Sequence, residues 1–181
     1  MSFVRHRLSI VALLPFALLA RTDASRWLDV PFVPQAKAGC GAAAVAMVTQ
    51  YWTRYFPELE RAEADSEQIN RLLPPTSAKG IDGEALKRYL QQHGFQAFIF
   101  DGDLTDLKHH FDKGRPVVVC FAASGPHAPL HYAVVVGIDD HSIWLNDPAR
   151  GKLFEENLNR FETEWKATGN WALLAVPQQA K

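Results

Sequence analysis

Residues 30–48 read VPFVPQAKAGCGAAAVAMV, and the stretch changes character at Cys40. Before it, Pro31 and Pro34 confine an extended segment to an edge or a loop, and residues 37–41 form a turn of mostly small residues. After it, AAAVAMVTQYWTRYF is rich in strong helix formers, with apolar Val45, Val48, Tyr51 and Trp52, so it predicts a buried helix that Pro57 closes. Cys40 therefore stands between two glycines at the N-terminus of an apolar helix. At that point the helix dipole and backbone N–H groups without helical partners favour thiolate over thiol. Gly39 and Gly41 are expected to leave room for a substrate backbone. The Cys40 N–H and the side-chain amide of Gln35, five residues upstream, are candidate donors to an oxyanion.

A nucleophilic thiol needs a base from another element, and the rest of the chain offers one. Asp65 or Ser66 caps a short helix over residues 66–73 that Pro74-Pro75 stops. Asp82 caps a helix with Ala85, Leu86, Tyr89 and Leu90 on one face, ending at Gly94. A strand over 95–100 and a helix over 104–112 follow. Then come three strand signals, at 116–121, 131–138 and 142–146, the last two joined by the tight connection Asp139-Asp140-His141. A short helix over 158–165 and a strand over 171–176 complete the order. Helices first and then a mostly antiparallel sheet is an α+β layout.

Of seven histidines, His131 opens the apolar strand HYAVVVGI and is rigidly aimed, so it is the expected base. His127 lies in the Gly/Pro loop GPHAPL and is expected to flank the cleft. His93, His109, His110 and His141 sit at helix ends or in a turn and are read as solvated. Asp147 ends the neighbouring strand of the hairpin. The start of one antiparallel strand lies beside the end of the next. Asp147 can therefore accept from one imidazole nitrogen while the other faces Cys40. Taken singly, Asp147 before Pro148 reads as a turn residue; its place opposite His131 gives it the second role.

The composition excludes several classes. A formal net charge of −1 and a pI near 6.6, with no Lys/Arg cluster, argue against nucleic acid or an anionic membrane as partner. Adjacent His109 and His110 point apart, and no Cys/His pair has ligand spacing, so no metal or other cofactor is expected. Arg5, His6 and Arg7 precede the apolar run LSIVALLPFALLA over residues 8–20, a pattern expected of a signal peptide over residues 1–24. The exported, periplasmic or secreted product is then a single domain over residues 25–181. An uncleaved N-terminal anchor is the alternative. The two cysteines, Cys40 and Cys120, would in an oxidising compartment also fit one disulfide.

The stretch around Cys40, with LHYAVVVGID and LNDPARGK downstream, resembles family thirty-nine of the papain-clan cysteine peptidases. These are the bacteriocin-processing, double-glycine-leader peptidases and their stand-alone bacterial relatives. The resemblance covers residues 29–151, including the Gly80-Ile81 turn. It implies a papain-like fold, helices packed on a mostly antiparallel sheet, and a peptide or protein substrate. By the same resemblance Cys40 is nucleophile, Gln35 the oxyanion-hole residue, His131 the base and Asp147 its orienting partner. Two positions depart from the pattern: Gly39 stands where an acidic or polar residue is usual, and Ala42 where many stand-alone relatives carry Pro. The membrane and ATP-binding domains of leader-processing transporters are not part of the 181 residues, so a double-glycine leader does not follow as substrate. Two other functions compete. An acyltransferase or transamidase would share the thioester. A silent peptide-binding module would hold Cys40 and Cys120 in a disulfide.

Overall fold

The structure, a computed structural model, describes residues 27–36, 39–57, 59, 64–74, 80–122 and 130–178. The expected signal segment and His127 lie outside the described residues. In chain order the elements are α1 (Cys40–Thr53), α2 (Ser66–Leu72), α3 (Gly83–Gln92), β1 (Phe95–Asp101), α4 (Leu104–Asp112), β2 (Val117–Phe121), β3 (His131–Ile138), β4 (Ser142–Asp147), β5 (Gly151–Asn157), α5 (Leu158–Lys166) and β6 (Trp171–Pro177). The strands form one sheet in the order β1-β6-β2-β3-β4-β5, antiparallel at every pairing.

The sheet is covered on both faces, which explains why its central strands read as unbroken apolar runs rather than alternating ones. Successive side chains of β2 and β3 point to opposite faces. Val118, Cys120, Tyr132, Val134 and Val136 pack with Val45, Val48 and Leu86 of α1 and α3. Val119, Phe121, Ala133 and Val135 instead pack with Leu107 of α4 and Phe161 and Trp165 of α5. The α+β class holds, and the later helices form a second layer opposite the N-terminal ones.

The caps expected from the sequence form. Asp65 accepts from Gln68 N–H, and Asp82 from the N–H groups of Glu84 and Ala85. Asp103 and Asp106 form a reciprocal capping box at α4. Edge strand β5 is an addition to the sequence expectation. Its charged sequence GKLFEEN lacks alternation, and its register with β4 shifts between Leu145 and Asp147. Leu153 takes a positive φ of 53° near this irregularity. Buried Asn146 replaces the lost ladder: its Oδ1 accepts from Leu153 N–H (3.1 Å) and its Nδ2 donates to Val30 O (3.0 Å). One side chain thus ties β5 to the extended segment that leads to Cys40. Among the described residues no helix is long and apolar enough to cross a membrane.

Candidate active site

The N-terminus of α1 is left open electrostatically. Its N-cap is Gly39, no side chain caps it, and its first turn carries no acid. The unpartnered N–H groups and the positive end of the dipole therefore act on Cys40, the first residue of the helix, undiluted by a competing carboxylate.

The other half of the site comes from the sheet. His131 is the first residue of β3, and its ring meets Phe121 edge-on at 5.5 Å. Its Nε2 lies 2.7 Å from Asp147 Oδ1. With Asp147 ionised, that nitrogen carries the proton and donates. His131 also lies within hydrogen-bonding reach of the Cys40 thiol, and with Nε2 taken by Asp147 the second ring nitrogen, Nδ1, is the one left to meet it. Asp147 is wholly buried and ends β4, and its Oδ1 also accepts from the N–H groups of Ala149 (2.8 Å) and Arg150 (3.1 Å). The turn role and the histidine-orienting geometry are therefore both present in one carboxylate.

The electrostatics follow from this line of contacts. Burial pushes the Cys40 thiol up, but the hydrogen bond and charge of His131 and the N–H groups of Tyr132 and Gly41 outweigh it, so its pKa falls below the ordinary thiol value. Burial pulls His131 down, yet the bonds to Asp147 and Cys40 raise it to about 9. Burial opposes ionisation of Asp147, and the hydrogen bond to His131 leads the contacts that hold its pKa below the usual carboxylate range. Thiolate and imidazolium coexist above the lowered Cys40 pKa and below the raised His131 pKa. The acid limb is lost because the thiol reprotonates, and the alkaline limb because the imidazolium no longer has a proton for the leaving amine. A bell-shaped kcat/KM is expected, with its acid limb below the ordinary thiol range and its alkaline limb near 9. A pH–rate profile measures both limbs.

The remaining predicted residues are distributed unevenly. Gln35 stands beside the site: its N–H donates to Pro148 O at 3.0 Å, in the turn directly after Asp147. Its side-chain Oε1 is buried without a hydrogen-bond partner among the described residues. The Gly39 N–H donates to Ala36 O at 3.0 Å. Gly41 is packed closely. A Cβ there would sit 3.3 Å from side-chain carbons of Leu86 and Tyr132 and 3.5 Å from Ile81, so the missing side chain lets α1 pack against α3 and β3. Cys40 and Cys120 are both free thiols, not a disulfide. Burial, and then the neighbouring Cys40, pushes Cys120 up to about 12, which leaves it a protonated core residue.

Two site neighbours were not singled out from the sequence. Arg150 places its Nε 3.3 Å from Asp147 Oδ2, and Asn146 holds the segment that carries Gln35. An Arg in a turn three residues after an Asp looks like any solvated charge, so sequence offers no signal for it. Among the described residues no group of His, Cys, Asp and Glu could hold a metal. An open cleft of about 540 Å³ lies elsewhere, between α4 and the β3–β4 hairpin, and contains none of Cys40, His131 or Asp147.

The Peptidase_C39 like family matches residues 27–173. The transport and processing protein ComA of Streptococcus pneumoniae is 33% identical over 129 residues, 70% of this chain and 16% of that protein. The lactococcin-G-processing and transport protein LagD of Lactococcus lactis is 28% identical over 132 residues, 72% of this chain and 17% of that protein. The chain thus spans about a sixth of the curated relatives it matches. Among solved structures, a C39-like peptidase from Bacillus anthracis superposes with a TM-score of 0.70 at 18% identity, covering 84% of this chain and 96% of the other. The peptidase domain of Streptococcus ComA gives 0.63 at 23% identity, with 81% and 98% covered. A double glycine motif protease from a transporter, in complex with the leader peptide, gives 0.60 at 20% identity, with 85% and 96% covered.

Proposed function

The chain belongs to the Peptidase_C39 like family, a family of cysteine peptidases, and from that premise we propose that it hydrolyses a peptide bond with Cys40 as nucleophile, His131 as base and Asp147 as the residue that orients the base. The observation that carries this is the unbroken line from an uncapped helix N-terminus through Cys40 and His131 to a wholly buried carboxylate. His131 takes the Cys40 proton through one ring nitrogen while the other stays bonded to Asp147. The thiolate adds to the carbonyl carbon, and the C–N bond breaks as His131 returns a proton to the leaving amine. Water then hydrolyses the thioester and restores the thiol.

The oxyanion formed in each addition is held by the Cys40 N–H at the start of α1 and by the Gln35 amide. Gln35→Ala is expected to lower kcat by about 10²–10³-fold with little change in KM, as removal of one oxyanion donor does elsewhere. Steady-state kinetics on a cleaved peptide checks it.

The substrate is a peptide. Because one structural neighbour is a double glycine motif protease bound to a leader peptide, peptides carrying a Gly-Gly bond are the first to test. Cleavage at one defined bond, absent in Cys40→Ala, supports hydrolysis. Transfer of the acyl group to an added amine without hydrolysis would favour the acyltransferase alternative, and binding without turnover a silent module. We place the protein outside the cytoplasm, a proposal supported by the basic start and apolar run of residues 5–20.

A further inference from the structure

Arg150 sits in the turn between β4 and β5 and touches the catalytic line by two routes. Its Nε lies 3.3 Å from Asp147 Oδ2, the oxygen that His131 does not use. That oxygen has no hydrogen-bond partner among the described residues, so the contact is an ion pair without hydrogen-bond alignment. The guanidinium also lies over the Phe154 ring at 4.8 Å and the Phe121 ring at 5.6 Å. Phe121 is the ring that meets His131 edge-on. The carboxylate that accepts from His131 and the phenyl wall beside the imidazole are both in contact with one cation.

Arg150 is itself held in place. Its Nη1 lies 3.6 Å from Glu156 Oε2 on β5. Glu156 Oε1 in turn lies 3.2 Å from Arg160 Nε, which is 3.1 Å from Glu164 Oε1. Charges of alternating sign therefore run from Asp147 through Arg150, Glu156 and Arg160 to Glu164, joining the end of β4 to α5. Glu156 is 5% exposed and the Arg150 side chain 25%, so Arg150 acts where solvent screens it only in part.

We propose that Arg150 is a positioning residue for the reaction: by pairing with Asp147 Oδ2 and lying against Phe121, its guanidinium fixes the carboxylate and ring between which His131 is aimed at Cys40. The proposal rests on the assignment of Cys40, His131 and Asp147 as the catalytic line. Arg150 itself touches no reacting atom.

A positioning role and a mere charge effect differ in sign. Deleting a cation near the site without moving anything disfavours the Cys40 thiolate and favours the His131 imidazolium, so both inflections of the pair move up in pH. Loosening the His131–Asp147 bond deprives the imidazolium of its partner and lets the ring turn away from Cys40, so the thiolate loses its own stabilising contact as well. The lower inflection then rises while the upper one falls, and the bell narrows from both sides. The charged and titratable groups that enter this balance are Cys40 on α1, Cys120 on β2, His131 and Tyr132 on β3, Asp147 on β4, Glu156 on β5, and Arg160 and Glu164 on α5.

The test measures peptide kcat and KM across a pH series, which reads both inflections, and the iodoacetamide alkylation rate of Cys40 over the same series, which reads the lower one, for the wild type, Arg150→Met and Arg150→Lys. Arg150→Met is expected to narrow the window by about half a unit at each end. It should lower kcat about 10–100-fold, as loss of outer partners does at metal-bound histidines, with KM little changed. Arg150→Lys restores the charge but not the fork, and recovers part of both effects. Should Arg150→Met fail to fold, Glu156→Gln, which frees Arg150 without touching Asp147, is expected to narrow the window in the same direction by less. An upper inflection that stays or rises, or a lower melting temperature with an unchanged profile, overturns the proposal. A wild type whose Cys40 titrates as an ordinary thiol would instead overturn the catalytic assignment on which it rests.

Discussion

Cys40→Ala abolishes peptide hydrolysis while the protein stays folded. The expected loss is about 10⁶-fold in kcat, the scale seen when the nucleophile of a triad is removed, since the acyl-enzyme route closes altogether. The fold should tolerate the change. Cys40 opens a helix whose next residues include Ala42, Ala43 and Ala44, and alanine is the strongest helix former. The substitution also removes a buried thiolate whose desolvation opposes its charge. Peptide turnover beside a thermal melt separates the two effects. Residual activity within about 100-fold of wild type would mean that another group attacks the carbonyl.

Asp147→Asn is the second large effect, and it reaches both catalysis and stability. The shape is kept, and the amide oxygen can still accept from His131 and from the N–H groups of Ala149 and Arg150, as Oδ1 does now. The charge is lost. The imidazolium then forms without its counter-ion, and the new NH₂ faces the Arg150 guanidinium across the 3.3 Å now bridged by an ion pair. A fall of about 10⁴-fold in kcat is expected, as in other triads when the acid becomes an amide. Removing one partner of a buried pair should cost about 3 kcal/mol of stability, near the low end for such pairs because Arg150 keeps some solvent and its Glu156 contact.

The pH dependence of that stability difference has a definite sign. Asp147 titrates lower in the folded protein than an ordinary carboxylate. Its contribution is full above the ordinary carboxylate pKa and fades as pH falls through the lowered folded value. Wild type and Asp147→Asn should therefore converge in stability at acid pH, which denaturant titrations at several pH values would measure. A gap that widens on acidification would contradict the buried, ionised carboxylate.

The sequence carried the central features because each depended on local signals. A small-residue turn before an alanine-rich run places Cys40 at a helix start, and the hairpin order of β3 and β4 brings the two ends bearing His131 and Asp147 together. What escaped depended on side chains meeting at long range. β5 is a bulged edge strand, and its irregularity is repaired by Asn146, seven residues away from Leu153. The packing of Gly41 against Leu86 and Tyr132 was equally invisible, because those neighbours come from other elements. Arg150 gains meaning only once Glu156 and two aromatic rings surround it.

Activation of Cys40 by His131 is tested most directly by iodoacetamide labelling of the purified, non-reduced protein across a pH series, with mass mapping of the modified cysteine in wild type and His131→Ala. Rapid alkylation of Cys40 is expected, with a thiolate inflection well below about 8.5 that moves up toward the ordinary value in His131→Ala, and little labelling of Cys120. Labelling of Cys40 with an ordinary thiol profile that His131→Ala leaves unchanged, or none until reductant is added, would contradict that activation.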